Sequence, residues 1–112
     1  MKDKKLDAIG KAAKEADVEE LIYLLNDYWI YKDRIVYKKN LETKKWSLYL
    51  STGGWSDHEE VIGILEGSLF WFMYWQKSER GGHYWFEGKL NKGNARRLSY
   101  VAQRRVVRLI LP

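Results

Sequence analysis

The sequence has no cysteine, which excludes a disulfide framework, a thiolate nucleophile and a Cys-ligated zinc, and leaves the fold to rest on packing. It has two histidines, neither in HExxH or comparable ligand spacing. Near His58 lie Asp57, Glu59 and Glu60, but one helical turn on from His58 and Glu59 stand Ile62 and Gly63, which supply no second ligand. There is no GxxxxGK[ST] loop, no GxGxxG fingerprint and no Ser-His-Asp signature, so common nucleotide enzymes and covalent catalysis have no sequence support. Long apolar runs are missing too. The densest, 68–75, is too short to span a bilayer, and the charged N-terminus MKDKKLDAIGKAAKEADVEE has none for a signal peptide. No cofactor, metal or membrane contact is expected, and a soluble intracellular protein is.

Acidic residues are scarce at one end. Lys and Arg exceed Asp and Glu by seven over residues 67–112, balance them over 34–66, and fall two short over 1–33. A positive field concentrated this way attracts nucleic acid, nucleotides or an acidic protein surface, although a solvated face that aids solubility accounts for it equally. What is abundant is aromatic: eight Tyr and six Trp in 112 residues. Such residues line small cores, and they also anchor base stacking and protein hot spots. The length and 46% hydrophobic content suit one domain over 1–112.

Trp46, Leu48 and Leu50 alternate with Ser47, Tyr49 and Ser51, the period of two that puts one row on a buried face. Thr52-Gly53-Gly54 ends this strand. Ser56 with Glu59 and Asp57 with Glu60 form overlapping capping boxes, which predict a helix over about 57–66 with Gly67 as its C′ residue. Upstream, Leu6, Ile9, Ala13 and Ala16 predict a helix over 3–15 with a thin, weakly packing stripe, peripheral to the domain. Asp17 with Glu20, followed by Val18, Leu21, Ile22, Leu25 and Tyr28, predicts a stronger one over 18–28. A strand within 34–38 pairs with the one through Trp46 as an antiparallel hairpin, and Lys38, Lys39, Lys44 and Lys45 near its turn guard an edge.

The aromatic density of residues 70–75 favours a strand over a continued helix. Its two apolar faces suit a central strand covered on both sides. Glu79-Arg80-Gly81-Gly82 supplies a turn, and residues 83–87 return antiparallel. Over 95–111 the pattern fits a helix to about Arg104 and, at Val107, Leu109 and Leu111, a closing strand as well. The expected class is α+β: a mostly antiparallel sheet of four or five strands with helices packed on it.

Ser51-Thr52-Gly53-Gly54-Trp55-Ser56 after an alternating strand, then Glu59, Phe70, Trp71, Trp75, Ser78 and Arg80-Gly81-Gly82-His83-Tyr84, resembles a group of small bacteriophage and prophage proteins. The similarity covers residues 46–87 and brings no activity with it. It implies a setting: a phage or mobile-element product in the cytoplasm of a bacterial host, acting as an inhibitor or anti-defence factor on a host protein or nucleoprotein complex.

Two groups of candidate residues follow. A strand, a Gly-Gly turn and a helix start expose backbone N–H groups to an anion, with Ser51, Thr52, Gly53, Gly54, Trp55 and Ser56 around them. If the sheet brings the second turn alongside, Arg80 clamps a phosphate of a nucleotide there as a bidentate donor, next to His83. A structural turn and a hydrogen-bonded structural histidine explain the same residues. The second group is Arg96, Arg97, Arg104, Arg105 and Arg108, which cannot all be buried unpaired and so face solvent or a nucleic-acid or protein partner. The leading expectation is a non-catalytic binding protein; the alternative is a phosphodiester- or nucleotide-handling enzyme built on Gly53, Gly54, Arg80 and His83.

Overall fold

The computed structural model describes residues 2–90, with side chains from Lys4 onward. The five arginines between 96 and 108, and the helix or strand expected over 95–111, lie outside the described residues.

Helices α1 (Lys2–Lys14) and α2 (Val18–Tyr28) open the chain. Asp17 caps α2 through its side chain, which accepts from the Glu20 N–H at 3.4 Å, as the sequence pattern requires. The α1 stripe is not weakly packed. Leu6, Ile9, Ala12 and Ala13 are all buried, because small residues bring backbones close: a Cβ on Gly10 would meet Ile64 at 3.5 Å.

A 3₁₀ turn (Lys32–Arg34) leads into β1 (Ile35–Asn40), which pairs antiparallel with β2 (Lys45–Ser51). Asn40 Oδ1 makes their turn by accepting from the N–H groups of Glu42 at 2.9 Å and Thr43 at 3.1 Å. Helix α3 (Ser56–Glu66) follows and buries His58, Val61, Ile62 and Leu65. Neither Ser56 nor Asp57 is the N-cap there. The N-cap is Trp55, with no side-chain cap bond, and Gly67 ends the helix at φ −96° without using left-handed backbone.

Residues 69–74 are a helix, α4 (Leu69–Tyr74), and not the strand expected from their aromatic density. Ser68 caps it: its Oγ accepts from the Trp71 N–H at 3.2 Å and donates to the Leu65 carbonyl at 2.6 Å. Phe70 is fully buried, its ring centroid 6.1 Å from Trp46 and 5.2 Å from Phe86. Burying such a side chain contributes about 1.5–3 kcal/mol, more than the roughly 1 kcal/mol span of β-propensity, so packing decides the conformation. The strand begins only afterwards, as β3 (Trp75–Glu79), and it is an exposed edge, not a central strand covered on both faces.

The last described strand, β4 (His83–Lys89), lies between β2 and β3 in an antiparallel sheet of order β1-β2-β4-β3. The domain is α+β: helices pack on one face of this sheet. That face presents Ile35, Trp46, Leu48, Leu50 and Phe86 to the core. At Gly88, the register partner of Trp46, a Cβ would stand 2.7 Å from the indole, so the ring lies directly over the glycine. Burial, and second the Glu19 carboxylate, pushes the Tyr37 hydroxyl up to about 12 and raises Tyr74 as well.

Candidate functional site

The sheet order joins the two Gly-Gly turns. Ser51 at the end of β2 is the register partner of His83 at the start of β4, and the Thr52 N–H donates to the Gly82 carbonyl at 2.9 Å. Gly53, Gly54, Gly81 and Gly82 all take positive φ, between 61° and 93°, as turns this tight demand.

Ser51 and Thr52 are buried here and serve the joint itself. The Ser51 carbonyl accepts from Trp29 Nε1 at 3.1 Å, while Thr52 Oγ1 accepts from the Gly54 N–H at 3.3 Å. His58 is fully buried: Nδ1 donates to the Thr52 carbonyl at 3.1 Å and Nε2 accepts from the Ile30 N–H at 3.2 Å, which sets the tautomer. Both nitrogens hold backbone, so His58 acts as architecture. Gly53, Gly54, Trp55, Ser56 and Arg80 are exposed around this corner, and Trp55 leans on Tyr31 with 5.4 Å between ring centroids.

A cation that sequence reasoning missed stands at the same corner. Arg34 Nη1 donates to Ser51 Oγ at 2.9 Å, and its guanidinium lies so close to Gly53 that a Cβ there would be 3.0 Å from Nε. The period of two places Arg34 on the face opposite Ile35, but only the hairpin register brings it to Ser51.

That opposite face carries no described helix. From the corner outward it presents Ser51 beside His83, then Val36, Tyr49, Trp85 and Lys77 in one cross-strand row, then Lys38, Ser47 and Glu87, then Lys45 and Lys89. His83 Nδ1 and the Tyr49 hydroxyl are 2.6 Å apart, their ring planes 12° from parallel. Tyr49 and Trp85 stand 5.1 Å apart between centroids, and the Lys77 ammonium sits 4.4 Å over the Trp85 ring.

A second surface lies on α4. Phe70, Trp71 and Tyr74 face the core, while Phe72 is 86% exposed, Met73 50%, Leu69 47% and neighbouring Trp75 42%. Trp71 and Trp75 stack at 6.2 Å with planes 11° apart. On the core side Tyr84 makes an edge contact with Trp71, and burial, then Glu66 and Glu59, raises its hydroxyl pKa.

Among the described residues no three His, Cys, Asp or Glu side chains group to hold a metal, and no helix is long and apolar enough to cross a membrane. Comparison with protein-family models, curated proteins and solved structures gives no match.

Proposed function

We propose that the chain is a non-catalytic binding protein, encoded by a phage or mobile element, that inhibits or modulates a host nucleic-acid or defence component in the bacterial cytoplasm. The observation that carries this reading is α4. Its sequence LFWFMY has no charged residue, and a helix that is apolar all round belongs in a buried place. Half of its circumference is instead in solvent. A contiguous apolar surface of Leu69, Phe72, Met73 and Trp75 fits the buried centre of a protein interface, where aromatic residues and Met are enriched. The resemblance over residues 46–87 supports the phage setting, and the C-terminal excess of Lys and Arg supports an acidic or nucleic-acid-containing target.

The test is affinity capture from host lysate, with and without nuclease, comparing the native chain with Phe72→Asp. Phe72 makes little packing contact at its exposure, so the variant should fold. A specific host partner captured by the native chain and lost with Phe72→Asp is expected; identical capture by both would reject this surface.

One observation favours a second reading, a nucleotide- or phosphate-handling enzyme: Arg34, Ser51 and His83 converge where the turns join. Turnover of a nucleotide or phosphodiester by the purified chain, abolished by Arg34→Ala and His83→Ala, would replace the binding reading with this one.

A further inference from the structure

We propose that the face of the sheet that carries no described helix, centred on Tyr49 and Trp85, binds single-stranded nucleic acid. This surface is separate from the α4 patch, and the proposal stands or falls without it.

Tyr49 and Trp85 are register partners on β2 and β4, the two central strands. Alternation along a strand is strict, so with Leu48, Leu50, Tyr84 and Phe86 turned to the helices, both rings must lie on the outer face. They are half-buried there, shielded by one another, by His83 and by Lys77. The described core lies on the other side of the sheet and does not use these three rings. Unstacked bases do: they lie on aromatic side chains in the middle of a sheet, with little regard to sequence, because each base has a π-face. The hydrogen bond between Tyr49 and His83 and the ammonium over Trp85 hold the rings in place before a ligand arrives, which lowers the ordering cost of binding.

Charge selects the occupant. Arg34, Lys38, Lys45, Lys77 and Lys89 all project from this face, against Glu79 and Glu87. Each carboxylate already has a lysine of the same face, Glu87 with Lys45 at 3.2 Å and Glu79 with Lys77 at 3.4 Å. The face is therefore net positive, with aromatic rings at its centre and cations on several sides. An acidic backbone with free bases matches both features; a duplex, whose bases are stacked inside, can use only the charges. Arg34 adds a planar donor at the corner, since a guanidinium carries five N–H groups and Ser51 Oγ accepts from one nitrogen.

The experiment is fluorescence anisotropy with the full chain, using labelled single-stranded DNA and RNA of about twelve nucleotides and a duplex of the same length. The native chain should bind a single strand about tenfold or more tighter than the duplex at equal salt. Trp85→Ala and Tyr49→Ala should each weaken single-strand binding by about tenfold, the stacking contribution of one base. Tyr49→Phe should keep most of the affinity, since it retains the ring and loses only the bond to His83. Lys77→Ala should lower the salt slope by about one. Circular dichroism establishes that each variant folds, and should Tyr49→Ala fail to, Trp85→Ala with Tyr49→Phe carries the test. Equal affinity for single strand and duplex, absence of binding to either, or native affinity in folded Trp85→Ala would overturn the proposal; in the first and third cases charges outside this aromatic row would account for binding.

Discussion

His58 lies flat against Trp29, with ring centroids 4.2 Å apart and planes 7° from parallel. The same imidazole ties Thr52 in the first Gly-Gly turn to Ile30 beyond the end of α2. One buried ring thus holds the helical layer to the corner where the two turns join.

Removing it leaves a cavity beside Trp29 and takes the acceptor from the Ile30 N–H, while the Thr52 carbonyl loses one donor and keeps the Trp55 N–H at 3.1 Å. His58→Ala is therefore expected to cost about 3 kcal/mol, from the lost packing, the lost bond to Thr52 and the unpaired Ile30 N–H. Urea denaturation monitored by tryptophan fluorescence measures this, and a cost below about 1 kcal/mol would mean that these bonds do not form in solution.

Two glycines should respond in opposite ways. At Gly88 a methyl group would stand 2.7 Å from the Trp46 indole, so Gly88→Ala should destabilise by about 1–3 kcal/mol through overpacking. Gly63 sits in α3 with open space around it, and Gly63→Ala should stabilise by about 0.5–1 kcal/mol because alanine loses less backbone entropy in a helix. Paired melting temperatures settle both, and a shift of the same sign in the two variants contradicts the packing described.

Alkaline pH should weaken the fold. The Tyr37 hydroxyl rises from the ordinary 10.0 to about 12 on folding, so the unfolded chain releases this proton first as pH climbs. The associated stability is complete below about pH 10 and is lost as pH rises towards 12. Tyr74 and Tyr84 shift the same way, so Tyr37→Phe should reduce the alkaline slope without abolishing it. Chemical denaturation at a series of pH values reads this directly; an unchanged slope in Tyr37→Phe would locate the effect elsewhere.

Ser68 is the one capping side chain of α4. Ser68→Ala should cost about 1 kcal/mol, and Ser68→Asp should recover part of it by accepting from Trp71 N–H while losing the donor to Leu65. Hydrogen exchange should quicken first over residues 69–74, and uniform exchange rates in native and Ser68→Ala chains would show that the cap contributes nothing.

Several local features were legible from neighbouring residues alone. Asp17 before Val18, Leu21, Ile22 and Leu25 placed α2 correctly because a cap and a 3.6-residue period act within one segment. Trp46, Leu48 and Leu50 assigned β2 and its buried face for the same reason, and with them the outward direction of Tyr49. Capping boxes at Ser56 and Asp57 placed the start of α3 to within a residue but not its cap, since the helix already begins at Ser56 and Trp55 takes the N-cap position. The aromatic run at 70–75 misled more seriously: propensity favoured a strand, whereas Ser68 and the burial of Phe70 against Trp46 and Phe86 made a helix.

The chain by itself determined the α+β class, the early helices and the first hairpin, because each follows from a period and a turn written within a few residues. Only the tertiary structure decided that β4 lies beside β2. From that one placement come the pairing of Ser51 with His83, the Thr52 to Gly82 bond and the Tyr49 to Trp85 row, which join residues thirty or more positions apart. Arg34 reaches Ser51 through the hairpin register, and Phe72 is left in solvent because Phe70 and Tyr74 take the inner side of α4. The physical reason is common to all of these: periodicity states which side of an element is apolar, but which elements meet, and in what register, depends on burying the whole core at once.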